Sequence, residues 1–132
     1  MANDDFHMET SKQGRITVLK PTGWVSPGER SLLTERLVEL LESRTSMVIM
    51  DLSDVEFSTP SEFGAFLYFE RRFTERGKRL VFASPNWKML RLLRTCNFDK
   101  ALTICGTLEE ASALVEERSG SPARGANLSL IE

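Results

Sequence analysis

Met47-Val48-Ile49-Met50-Asp51-Leu52-Ser53-Asp54-Val55-Glu56-Phe57-Ser58-Thr59-Pro60-Ser61-Glu62-Phe63-Gly64 is the stretch whose reading decides the fold. Residues 47–52 are apolar on both alternating sets except at Asp51, the pattern of a central strand covered on both faces. Residues 53–57 read as a loop with Val55 and Phe57 as inward anchors. Thr59-Pro60-Ser61-Glu62 then reads as a capping box: the Thr59 hydroxyl accepts from a first-turn amide, Glu62 reaches back to the Thr59 amide, and Pro60 takes the first helical position. A buried strand therefore hands over to a helix across three hydroxyl residues.

Working outward, Phe63, Phe66, Leu67 and Phe73 fall on one helical face, and Arg71, Arg72, Glu75 and Arg76 fall away from it. Gly77 supplies the stop. Tyr68 and Phe69 widen the apolar surface beyond one stripe and are expected in the core, with part of an interface as the alternative. Upstream, Leu32, Leu33, Leu37, Leu40 and Leu41 mark an amphipathic helix entered through Ser26-Pro27. Before it, Phe6 and Met8, then Ile16 and Val18, flank Thr10–Gly14 as a hairpin with a loop of several residues. His7 faces away from Phe6 and Met8 and carries no role. Trp24 is expected half buried at the domain end, with anchoring of a partner as its functional alternative.

Downstream, residues 79–83 read as a second central strand. Ser84-Pro85 opens a short helix with Trp87, Leu90, Leu93 and Cys96 inward, and Asn97 is a left-handed cap with Phe98 folded back. A strand over 101–105 and a last helix entered through Thr107 complete the series. The domain spans 4–117. The Ser, Gly and Pro content from 118 to 132 reads as a flexible tail.

Composition narrows the function classes. With 132 residues, 41% hydrophobic and 27% charged, the chain has the size of one domain with one core. No apolar run approaches the roughly 18 residues of a membrane span, so a cytoplasmic protein without membrane insertion is expected. Cys96 and Cys105 read as reduced thiols. With one histidine, and no Cys/His cluster, neither a metal site nor a cofactor is expected. Residues 70–100 carry nine Lys/Arg against three Asp/Glu. The sequence pI near 5.6 speaks against nucleic acid, and a complementary acidic protein surface suits this basic segment better. Asp51, Asp54, Glu56 and Glu62 read as caps and loop residues and not as an acid/base pair, so no enzyme is expected.

The order β-β-α-β-α-β-α-β-α requires mostly parallel pairing. The expectation is a single α/β domain with a mixed, mostly parallel sheet of about five strands and four helices. Nothing matches a glycine-rich phosphate loop. In this order, residues 48–57 leading into Ser61-Glu62-Phe63-Gly64 resemble the STAS domain of anti-sigma-factor antagonists. Thr22-Gly23-Trp24-Val25-Ser26, Gly77 before a strand, and Ser84-Pro85 add to the resemblance, which covers about residues 4–117.

That resemblance implies partner switching: an antagonist binds a serine kinase of the histidine-kinase-like ATPase type that doubles as anti-sigma factor, and phosphorylation at the second helix start breaks the complex. A phosphatase would reverse it. The family run Asp-Ser-Ser/Thr-Gly-Leu-Gly falls on Thr59-Pro60-Ser61-Glu62-Phe63-Gly64, so the usual acceptor position holds Pro60, which cannot take a phosphoryl group. Ser61 ranks first as a replacement acceptor, with Ser58 and Thr59 as alternatives. Partner binding is expected at Phe57, Ser58, Thr59, Pro60, Ser61, Glu62, Phe63 and Trp24. The alternative is a non-phosphorylated STAS subunit of a larger assembly such as a lipid-transport ATPase complex, which Pro60 favours.

Overall fold

A computed structural model describes residues 6–57 and 59–120. Their order is β1 (His7–Gln13), β2 (Ile16–Val25), α1 (Pro27–Leu41), β3 (Met47–Asp51), β4 (Val55–Phe57), α2 (Ser61–Glu75), β5 (Arg79–Ala83), α3 (Trp87–Thr95), β6 (Ile104–Cys105) and α4 (Leu108–Gly120). The sheet runs β1-β2-β3-β5-β6, with β4 pairing the far end of β2. Among the described residues only the β1–β2 pair is antiparallel; β2–β3, β2–β4, β3–β5 and β5–β6 are parallel. The mixed, mostly parallel α/β sheet with four helices is thus as expected, with six strands in place of five.

All five residues of β3 are buried, and its two alternating sets serve two cores. Val48 and Met50 join Leu37, Phe63, Phe66, Phe82 and Leu93 under α1, α2 and α3. Met47 and Ile49 join Val81, Cys105, Ala111 and Leu114 under α4. A strand with helices on both faces has no polar side to offer, which explains its continuous apolar run. Both cysteines are free.

Four expectations need correction. Residues 10–13 belong to β1, not to a loop: the hairpin turns at Gly14 (φ 62°) and Arg15, and an exposed edge strand carries polar residues because one side of it faces water. Residues 55–57 form β4, because Gly23–Val25 offers them a parallel ladder; Val55 and Phe57 are buried as anchors. Residues 101–103 lie outside β6, which is only two residues long. Leu32, Tyr68 and Trp87 are 49%, 56% and 68% exposed, whereas Leu33, Phe69 and Met89 are buried. The residues one turn beyond Leu32, Tyr68 and Trp87 are Arg36, Arg72 and Arg91, so each begins the polar side of its helix.

Asn97 is left-handed (φ 64°) as expected, and the Phe98 amide donates to the Leu93 carbonyl at 2.8 Å. The tail expected from 118 overlaps the end of α4, and residues 121–132 lie outside the described residues.

α2 is latched to the segment before β6 by Glu70, whose carboxylate accepts from the Thr103 amide at 3.1 Å and the Thr103 hydroxyl at 2.7 Å. Burial pushes this carboxyl above the ordinary glutamate range; the two Thr103 bonds, and then Arg79 and Arg71, pull against it. The folded chain therefore holds the proton more tightly than the unfolded chain. The resulting stability is fully present below the unfolded value and is lost as pH rises through the folded one. Chemical denaturation of wild type and Glu70→Gln across mildly acidic pH checks this: wild type gains stability relative to the variant as pH falls, and parallel curves would contradict it.

Candidate functional site

β2, β4 and β5 all end at one edge of the sheet, and the helices that follow begin there. The carboxyl edge of parallel strands is where α/β folds expose their helix N-termini and variable loops. α1 starts with Pro27 after Ser26, whose amide donates to Glu29 Oε1 at 3.2 Å. α3 starts from Asn86: its Oδ1 accepts from the Met89 amide at 2.9 Å, and its Nδ2 donates to the Ser53 carbonyl at 3.2 Å. Asn86 thereby ties the β3–β4 loop to α3.

Between these two lies the start of α2. Its N-cap is Pro60 (φ −74°, ψ −2°) and not the expected Thr59. Pro60 itself has helical φ and ψ, so the difference from the capping-box reading, which makes Pro60 the first helical residue, is a single residue at the helix boundary. The Phe63 amide donates to the Pro60 carbonyl at 3.0 Å. Thr59 Oγ1 does accept from a first-turn amide, that of Ser61, at 3.3 Å. Glu62, however, takes the Thr59 hydroxyl at 3.3 Å and not the Thr59 amide.

The polar side chains close a ring. Arg30 Nη1 donates to Ser61 Oγ at 2.9 Å, Ser61 and Thr59 hydroxyls meet at 2.7 Å, and Thr59 donates to Glu62 Oε1. Glu62 Oε2 lies 3.7 Å from Arg30 Nη1, with 2% of the Glu62 side chain exposed against 40% for Arg30. The donor order that satisfies every group is Arg30 to Ser61, Ser61 to Thr59, Thr59 to Glu62, with the carboxylate facing the guanidinium. The helix N-terminus adds a further stabilising field for that carboxylate.

The expected partner residues divide into two groups. Phe57 and Phe63 are core residues, 7% and 0% exposed. Their rings meet edge-on with centroids 6.0 Å apart, and Phe63 continues to Phe98 at 5.5 Å. Together with buried Glu62 they support the junction from below. Thr59, Pro60 and Ser61 are exposed, and Trp24 at the end of β2 is 42% exposed, about half buried as expected. Ser58 lies outside the described residues. Sequence reasoning missed Arg30, Asn86 and exposed Trp87; the first two act across 31 or more residues of sequence, where no local pattern points to them.

A cleft of about 300 Å³ beside the junction is lined by Gly23, Trp24, Ser53, Asp54, Glu56 and Asn86. Asp54 pairs with Lys20 at 3.0 Å and Glu56 with Lys88 at 3.7 Å. The site offers exposed hydroxyls, an arginine and two tryptophans. Among the described residues, no group of three or more His, Cys, Asp or Glu side chains is placed to hold a metal, and no helix is long and apolar enough to cross a membrane.

Comparison with known proteins fits this geometry. The chain superposes on SpoIIAA, an anti-sigma factor antagonist, in its unphosphorylated form, with TM-score 0.67 and 15% identity over 85% of this chain and 96% of that one. A proposed anti-sigma factor antagonist from Thermotoga maritima gives 0.72 and 22% over 83% and 94%. The Bacillus cell fate determinant SpoIIAA in its phosphorylated form gives 0.61 and 16% over 84% and 99%. No curated protein matches the sequence. Residues 7–111 match the STAS domain family, and the chain therefore belongs to the STAS domain family.

Proposed function

We propose that this protein is a non-enzymatic, cytoplasmic regulator of the anti-sigma-factor-antagonist type, which binds a protein partner through the β4–α2 junction. The partner class is a serine kinase that doubles as anti-sigma factor, in a partner-switching pathway that controls transcription. The carrying observation is the exposed Thr59-Pro60-Ser61 turn, held by Arg30 and Glu62 on a rigid aromatic base. A rigid exposed turn flanked by aromatic side chains suits protein recognition, since little order is lost on binding.

Phosphorylation of Ser61 would switch this surface. A phosphoryl group adds about −1.5 to −2 charge, and at Ser61 it would stand beside Arg30 and compete with Glu62 for the guanidinium. The surface offered to the partner would change sign while the aromatic base stayed in place. A second reading rests on Pro60: with no acceptor at the family position, and Ser61 Oγ already bonded on two sides, the chain serves as a constitutive STAS subunit of a larger assembly.

Incubation with histidine-kinase-like ATPases of the same genome, with ATP, followed by mass spectrometry of wild type, Ser61→Ala and Pro60→Ser, separates the readings. Phosphate on wild type that disappears in Ser61→Ala supports the switch. A complex in which only Pro60→Ser takes up phosphate supports the constitutive subunit. Failure to bind any such ATPase contradicts the kinase partner.

A further inference from the structure

The opposite end of the sheet carries a second, chemically different site. There the β1–β2 turn, the α1–β3 loop and the α2–β5 turn enclose a cleft of about 800 Å³, whose lining includes Lys12, Arg15, Arg44, Arg76 and Lys78 and no carboxylate. Five cations around one cleft are notable in a chain of net charge −2, because like charges gathered without partners repel one another.

Two of the five are held within the fold. Lys78 Nζ donates to the Ser43 carbonyl, and Arg76 Nη2 meets Glu42 Oε2 at 3.3 Å at the rim. Lys12, Arg15 and Arg44 are exposed, and among the described residues none of them has a carboxylate within ion-pair distance.

The floor of the cleft is built and rigid. Thr17 and Thr45 are buried, with their hydroxyls 2.9 Å apart. Thr45 Oγ1 and the Ser46 amide both donate to the Arg15 carbonyl, at 2.9 and 2.8 Å. The loop that carries Arg44 is thereby fastened to the turn that carries Arg15.

We infer that this basic cleft binds a small ligand carrying two or more phosphate groups, independently of the β4–α2 junction. Guanidinium forks match phosphate oxygens two at a time, and Arg15 and Arg44 with Lys12, the three cations not held within the fold, complement several anionic charges at once. The volume is in the range of small-molecule sites. The lining contains no aromatic or aliphatic anchor of the kind that carries binding energy in protein interfaces, so a polyanionic small molecule or headgroup fits it better than an acidic protein. The same chemistry is presented by a soluble polyphosphate and by a phosphate-rich lipid headgroup.

Two probes separate these sources: inorganic tripolyphosphate in titration calorimetry, and flotation with phosphatidylcholine vesicles with and without phosphatidylinositol 4,5-bisphosphate. Each is applied to wild type, to the double variant Arg15→Glu/Arg44→Glu, and to Arg91→Glu, which changes an exposed charge on α3. Circular dichroism confirms that the variants are folded. Wild type and Arg91→Glu are expected to bind at least one probe, more weakly as salt rises, while the double variant loses about tenfold or more in affinity. Tripolyphosphate binding alone identifies a soluble ligand, and binding to the phosphatidylinositol 4,5-bisphosphate vesicles a headgroup. Binding of neither probe, or equal binding by wild type and the double variant, overturns the inference.

Discussion

Phe63→Ala is expected to lower the unfolding free energy by about 3–5 kcal/mol, the range for removing a fully buried aromatic side chain. Phe63 is 0% exposed and stands at the first turn of α2 among three other rings, with centroids 6.0 Å from Phe57, 6.3 Å from Phe66 and 5.5 Å from Phe98. Its removal opens a cavity beneath the exposed Thr59–Ser61 turn. Phe57 anchors β4 and Phe98 the turn after α3, so the loss loosens three segments at once. Urea denaturation measures the change. A loss below about 1 kcal/mol would mean that the site collapses around the gap and that the junction does not depend on this base.

Arg30→Ala is expected to cost about 2 kcal/mol, because it strands the nearly buried Glu62 carboxylate with one neutral donor. Removing one member of a fully buried pair costs about 3–5 kcal/mol. Arg30 is 40% exposed and 3.7 Å from its partner, so water screens part of that cost. A double-mutant cycle with Glu62→Gln isolates the pair: the neutral amide relieves most of the penalty in the Arg30→Ala background. Additive single effects, with no coupling between positions 30 and 62, would contradict the ring described for this site.

What was legible in the sequence follows from how local each signal is. β3 was readable because a strand covered on both faces must be apolar at consecutive positions, and residues 47–50 are. Asn97 was readable because few residues tolerate a positive φ. β4 was not readable: three residues carry too little pattern, and its pairing with Gly23–Val25 is set by the distant partner. The exposure of Leu32, Tyr68 and Trp87 lay within reach, since each has an arginine four residues on. Counting apolar residues along a helix without following that spacing placed them in the core.

The site was legible only in outline. The hydroxyl-rich turn at 59–61 was evident, and so was proline at the position where the family carries its acceptor serine. The burial of Glu62 was not, because a carboxylate in a first helical turn is ordinarily solvated and here depends on Arg30 from another helix. Asn86 gave no local sign of the carbonyls it bonds across more than 30 residues. Both contacts come from a topology that brings the starts of α1, α2 and α3 to one edge of the sheet.

A hydrogen-exchange footprint tests recognition at that edge. The protein is measured alone and in complex with a histidine-kinase-like ATPase of its own genome, with Pro60→Lys as the surface variant; Pro60 is exposed and its φ of −74° suits any residue. Protection of the segment 57–64 and the region of Trp24 on binding, with affinity reduced about tenfold or more by Pro60→Lys, is the predicted result. A complex that Pro60→Lys leaves unchanged, with protection confined to other parts of the domain, would contradict it.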